Sequence, residues 1–174
     1  DFFYSSISVI NQENATQKPW NARNLQAAWF SRGTHALDHI TYAWSKTHNE
    51  IPPVIWLPDY FCNSATVLMR KRGASLIFYP IGKDLNPDWK ACQFLINNVP
   101  TPDIFLLTHY FGNAASAPQI LNFCQNVGAL ILEDAAHVLY PHGNIGTMGD
   151  ATLFCPHKVL AAPDGALLSG MFAD

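Results

Sequence analysis

Short apolar runs of strand length recur along the chain, separated by longer stretches that carry a helical period, and this rhythm is what most limits the folds open to it. The runs are Ala27 to Phe30, Val54 to Leu57, Ser75 to Tyr79, Ile104 to Thr108, Ala129 to Leu132, Thr152 to Cys155 and Ala166 to Ser169. Between them, Ala36, Leu37, Ile40 and Ala43/Trp44 form an i, i+3/i+4 stripe after Gly33-Thr34, which predicts a helix. A second helix is predicted from about Phe61 to Arg72, closing on Gly73, and a third from about Pro118 to Asn126, ending before Gly128. The segment 81–102, with Pro87 and Pro100, reads as a long crossover with one short helix. The expected fold class is α/β: a mainly parallel seven-stranded sheet flanked by helices, in residues 27–174. Residues 1–26 are polar and irregular and read as a loop-rich N-terminal segment.

Composition removes several classes of function. At 174 residues and 49% hydrophobic content the chain can bury one sizeable core. A net charge of −3 with only 13% charged residues offers no basic face for a phosphate backbone, so no nucleic-acid partner is expected. Low charge with 13% aromatics leaves apolar surface beyond one core, which predicts burial against a second domain or subunit. Cys62, Cys92, Cys124 and Cys155 form no C-x-x-C pair, so no zinc or other metal site is read, and the thiols suit a cytoplasmic enzyme. No apolar stretch approaches membrane-spanning length, and Asp1-Phe2-Phe3-Tyr4 lacks the basic start of a signal peptide. The chain opens without methionine and stops directly after a strand-like run, so a fragment is expected.

In a doubly wound sheet, ligands bind beyond the carboxyl ends of the strands. Four such places carry unusual residues. Ser31-Arg32-Gly33-Thr34-His35 joins a strand to a helix, where a glycine turn and free N–H groups suit a phosphate; a plain turn with Thr34 as N-cap serves the same pattern. Asp134 follows Ala129-Leu130-Ile131-Leu132. A carboxylate there loses hydration, which a cation such as a protonated pyridine offsets; a turn cap or a structural arginine pair is the alternative. Lys158, in Cys155-Pro156-His157-Lys158, is the one basic residue from Asn144 onward other than histidine. Desolvated among apolar neighbours, its amine becomes a nucleophile for carbonyl groups; a solvated surface lysine is the ordinary case. His109 in Thr108-His109-Tyr110-Phe111-Gly112 also reads as a satisfied core histidine.

The order of these blocks resembles the DegT/StrS-like sugar aminotransferases, which are pyridoxal-phosphate (PLP) enzymes of the aspartate-aminotransferase fold. The resemblance rests on Gly33-Thr34-His35-Ala36-Leu37, Leu57-Pro58-Asp59-Tyr60-Phe61, His109-Tyr110-Phe111-Gly112, Glu133-Asp134-Ala135-Ala136-His137, Gly149-Asp150, Pro156-His157-Lys158 and Asp164-Gly165. It implies the PLP-binding large domain of that fold in residues 27–174, with the smaller C-terminal domain absent from the chain. It implies Lys158 as the Schiff-base lysine, Asp134 as partner of the pyridinium and His137 beside the cofactor ring. Thr34 and His35 would contact the phosphate. Three positions depart from the family pattern: Leu153 replaces a phosphate-binding serine, Cys62 falls where an aromatic stacks on the ring, and Val159 replaces an asparagine. Phe61, Tyr60 or His109 could supply the missing aromatic, with Phe61 assigned to the cofactor site.

The resulting expectation is a PLP-dependent aminotransferase that moves an amino group from an amino-acid donor to a nucleotide-linked keto sugar, as a cytoplasmic homodimer. A PLP-dependent dehydratase and a non-catalytic relative that keeps the fold are the competing readings, because fold does not by itself establish function.

Overall fold

A computed structural model describes residues 19, 20 and 25–173; the expected loop segment 1–26 lies almost wholly outside the described residues. The apolar runs become β1 (Ala27–Phe30), β2 (Val54–Pro58), β3 (Ser75–Tyr79), β4 (Ile104–Thr108), β5 (Leu130–Ala135), β6 (Ala151–Phe154) and β7 (Ala166–Gly170). The helices are α1 (Gly33–Thr47), α2 (Val67–Lys71), α3 (Trp89–Ile96) and α4 (Ala117–Val127). One seven-stranded sheet results, in the order β1-β7-β6-β5-β4-β2-β3. Its pairs from β3 through β6 are parallel, and β7 runs antiparallel to both β6 and β1. The expected mainly parallel α/β sheet is what forms. Among the described residues no helix is long and apolar enough to cross a membrane.

Two elements differ from the sequence reading by more than one residue at an end. The helix expected from Phe61 to Arg72 is divided into a 3-10 turn, Asn63–Thr66, and the short α2. Thr66 Oγ1 donates to Asn63 O at 2.7 Å, the local side-chain bonding by which threonine competes with regular helix. The second difference is β5, which continues through Glu133 and Asp134 to Ala135. Both acids therefore sit within the sheet, with side chains on opposite faces.

Each face has its own core. Leu106, Leu132, Ala151 and Leu153 pack with Ala36, Leu37 and Ile40 of α1. Phe105, Leu107 and Ile131 pack on the other face with Ile120, Phe123 and Cys124 of α4 and Cys92 of α3. The register sets Thr108 beside Asp134 and Asp134 beside Leu153, so these three form a row on the α1 face. Thr152 belongs to the opposite face, where its hydroxyl approaches Glu133 Oε1 at 3.4 Å.

Glu133 is fully buried and its carboxylate collects donors from distant parts of the chain. His109 Nε2 lies 2.8 Å from Oε2. Gly146 N–H donates to Oε2 at 2.8 Å, and Met148 and Gly149 donate to Oε1 at 2.9 and 2.7 Å. Burial pushes this carboxyl up, but the His109 bond and the Gly149 and Gly146 amides outweigh it and leave its pKa below the ordinary value. Stability from Glu133 is therefore present above the unfolded-state pKa and lost as pH falls through the lower native one. Glu133→Ala strands several buried donors and is expected to cost about 3–5 kcal/mol at neutral pH. Urea unfolding of the wild type and variant checks this, and the gap between them should narrow on acidification.

Candidate cofactor site

The carboxyl end of the sheet brings together residues that are far apart in sequence. Asp134, near the end of β5, is 9% exposed. Its Oδ1 accepts the Ala136 N–H at 3.0 Å, so it does cap the following turn, and no arginine pairs with it among the described residues. Desolvation raises its pKa, opposed by that amide and by the nearby Lys158 charge and the His137 and His109 rings. A buried carboxyl with a single amide donor is short of partners, and a cationic ring N–H has the charge and the donor it lacks. Beside it the buried Thr108 hydroxyl lies near the Tyr110 hydroxyl and, among the described residues, makes no hydrogen bond of normal geometry.

Lys158 closes a 3-10 turn, Pro156–Lys158, directly after β6. Its side chain is exposed, the solvated one of the two settings the sequence left open: the turn carries the lysine clear of the apolar cluster that ends at Cys155. The turn is tied down from behind. His157 Nδ1 donates to Gly165 O at 2.7 Å, and Gly165 N–H donates to Ser31 O at 2.9 Å. Gly165, at φ 127°, thus links the lysine turn to the start of α1.

At that start the N-cap is Arg32, without a side-chain cap bond, so Thr34 is inside the helix and does not cap it. The first helical hydrogen bonds run from His35 and Ala36 N–H to Arg32 O. Thr34 N–H has no partner among the described residues, and the Gly33 amide meets the Cys155 thiol. The helix start, with the Thr34 amide unpaired among the described residues, lies against Cys155 and Leu153, a setting suited to an anion. His35 is exposed and its Nδ1 lies 2.7 Å from Ser31 Oγ.

A model of the DegT/DnrJ/EryC1/StrS aminotransferase family matches residues 22–170. The chain belongs to that family. Its members use PLP, the group that the Asp134, Lys158 and α1 arrangement fits. The spore coat polysaccharide biosynthesis protein SpsC of Bacillus subtilis (strain 168) is 32% identical over 122 residues, covering 67% of this chain and 31% of SpsC. Among solved structures, Helicobacter pylori PseC, an aminotransferase involved in pseudoaminic acid biosynthesis, matches with TM-score 0.66 at 21% identity, over 83% of this chain and 39% of PseC. S. venezuelae DesV in complex with a ketimine intermediate matches with TM-score 0.65 at 20% identity, over 83% of this chain and 39% of DesV. The chain thus spans between about a third and two fifths of the length of these relatives.

The remaining family positions are distributed unevenly. His137 is exposed at the rim, beyond Asp134. Phe61 is half-buried against the α1-face core, and His109 is enclosed between Glu133 and the Ala115 N–H, so it is a satisfied core histidine. Tyr60 is exposed and stacked on Tyr110 at 5.6 Å. Cys62 is exposed, 3.1 Å from Ser64 Oγ, and that bond, the Ala65 amide and the charge of Lys158 hold its pKa below the ordinary value. The sequence reading missed Cys155 as part of the floor. Burial pushes its thiol up to about 12, with Asp134 adding to the rise and Lys158 and the Gly33 amide opposing it. Its place directly before Pro156-His157-Lys158 was the available clue.

The approach of α1 to β6 is close enough to require glycine. A Cβ on Gly33 would lie 2.9 Å from Cys155 Sγ and 3.6 Å from Leu153 Cδ2. Gly33→Ala is therefore expected to destabilise the fold by about 1–3 kcal/mol, as overpacking does. Combining it with Cys155→Ala should recover most of that loss, which a double-mutant cycle by thermal unfolding measures. Additive effects would mean that the thiol is not what Gly33 accommodates.

Proposed function

We propose that the full-length protein is a PLP-dependent aminotransferase that transfers an amino group from an amino acid to a nucleotide-linked keto sugar, and works as a cytoplasmic homodimer. The observation that carries this reading is the meeting, at one sheet edge of a family member, of an under-bonded buried carboxyl, a lysine on a braced turn and a helix start whose Thr34 amide is unpaired. PLP, when bound, supplies an electron sink for the carbon that loses its proton.

In this reading Lys158 Nζ would hold the cofactor covalently and, when free, would carry the proton between the substrate carbon and the cofactor carbon. Asp134 accepts the ring N–H and keeps that nitrogen protonated. Thr34, through its N–H and hydroxyl, and His35 hold the phosphate, while His137 and Phe61 lie toward the ring. The sugar acceptor is supported by the roles of SpsC and PseC in polysaccharide and pseudoaminic acid biosynthesis. A homodimer fits the exposed aromatics at the carboxyl edge, Tyr60, Phe111 and Tyr140, since a closed two-fold pair is the common way to cover such a surface.

Leu153, buried beside Asp134 in the sheet register, contributes no hydroxyl to the phosphate site, so backbone amides and Thr34 carry that role. The test uses the full-length protein with PLP and borohydride. Lys158→Ala should abolish the borohydride-stable adduct and keep the fold by circular dichroism. An adduct recovered on another lysine sinks the assignment. Asp134→Ala should still form the adduct but lose transamination with any amino donor that the wild type uses; near-normal turnover would refute the role of Asp134.

A further inference from the structure

The turn after β4 contains a residue in a conformation that its side chain does not favour. Phe111 has φ 55° and ψ 24°, inside the 3-10 turn Tyr110–Gly112. Left-handed backbone is avoided by bulky L-residues and is the province of glycine. Burial does not hold Phe111 there, because the residue is 67% exposed.

Its ring lies 6.4 Å from that of Tyr110 in a tilted pair, while its hydrogen bond and its stacked partner are one histidine. Phe111 N–H donates to His137 Nδ1 at 3.3 Å, and the two rings stack at 5.7 Å with 14° between their planes. The bond and the stack act on the same side chain, that of His137. A strained residue at the mouth of a site, with both contacts on a site histidine, points to a purpose in that site.

The hydrogen bond has a definite chemical consequence. An Nδ1 that accepts a peptide N–H carries no proton, so the ring proton is on Nε2. No described group bonds Nε2. We propose that Phe111 is a positioning residue that fixes the orientation and tautomer of His137, so that Nε2–H is presented as a hydrogen-bond donor to an acceptor oxygen of the bound cofactor or substrate. This deepens the reading of His137 as a residue beside the cofactor and rests on that reading for its role in turnover.

Long-range proton–nitrogen NMR on histidine-labelled full-length protein, with and without PLP, reads the tautomer directly, and the His137 signal is identified by its loss in His137→Gln. The wild type is expected to show the Nε2–H form. Phe111→Gly, which adopts positive φ freely and keeps the amide, is expected to retain that form. Phe111→Val, whose β-branched side chain disfavours this backbone, is expected to lose the single Nε2–H form and show the averaged tautomer mixture of a free imidazole. An Nδ1–H form in the wild type, which needs no variant to fold, overturns the proposal, as does an unchanged Nε2–H form in a folded Phe111→Val protein. The expected tautomer pattern in a protein that takes up no PLP would count against the cofactor reading and uphold the positioning of His137 by Phe111.

Discussion

A single buried carboxylate, that of Glu133, sets the carboxyl edge of this sheet. Its charge cannot be tolerated at zero exposure without donors, and the donors come from His109 after β4 and from the 146–149 segment before β6. Satisfying one charge therefore draws three consecutive strand ends into register. Gly149 allows the approach, since a Cβ there would lie 2.9 Å from Glu133 Cγ. His109 is fixed in turn, with the Ala115 amide on Nδ1 and the carboxylate on Nε2.

Asp134 is the next residue along and has the opposite circumstances. One face of β5 carries an acid whose hydrogen bonds are complete; the other carries an acid with a single amide donor. The pKa directions follow this division, down for Glu133 and up for Asp134. A strand can hold adjacent carboxylates with such different chemistry because the pleat sends them to separate environments, one sealed by protein and the other opening toward Lys158 and the start of α1. The fully bonded acid is structural, and the under-bonded one is left to meet a ligand.

The sheet, its strand count and the places that hold Asp134, Lys158 and Thr34 were legible in the sequence, because apolar runs mark strands and polar residues at their ends mark the ligand edge. The extension of β5 to Ala135 was not, since the partners that make Glu133 acceptable inside a strand lie more than ten residues away on either side. The division of the 61–72 helix depended on a bond from Thr66 to Asn63 that an apolar period does not reveal. Nor could the exposure of Lys158 be read, because it depends on how the Pro156–Lys158 turn is tethered to Gly165. Phe111 gave no signal at all: an aromatic between tyrosine and glycine has no sequence mark of positive φ.

The edge pairing of β1 with β7 has a temporal meaning. β1 lies at the sheet margin and its strand partner is β7, joined in register from Ala27↔Ser169 to Phe30↔Ala166. The parallel block from β2 to β6 is made of shorter-range crossovers, whereas this pair closes a loop of nearly the whole described chain, the kind of contact that forms slowly. During synthesis, β1 emerges early and waits for its neighbour. Ser31, which follows β1, also receives its Gly165 bond only then. The helix start and the lysine turn thus come together as a late event of folding, after the rest of the sheet can already exist.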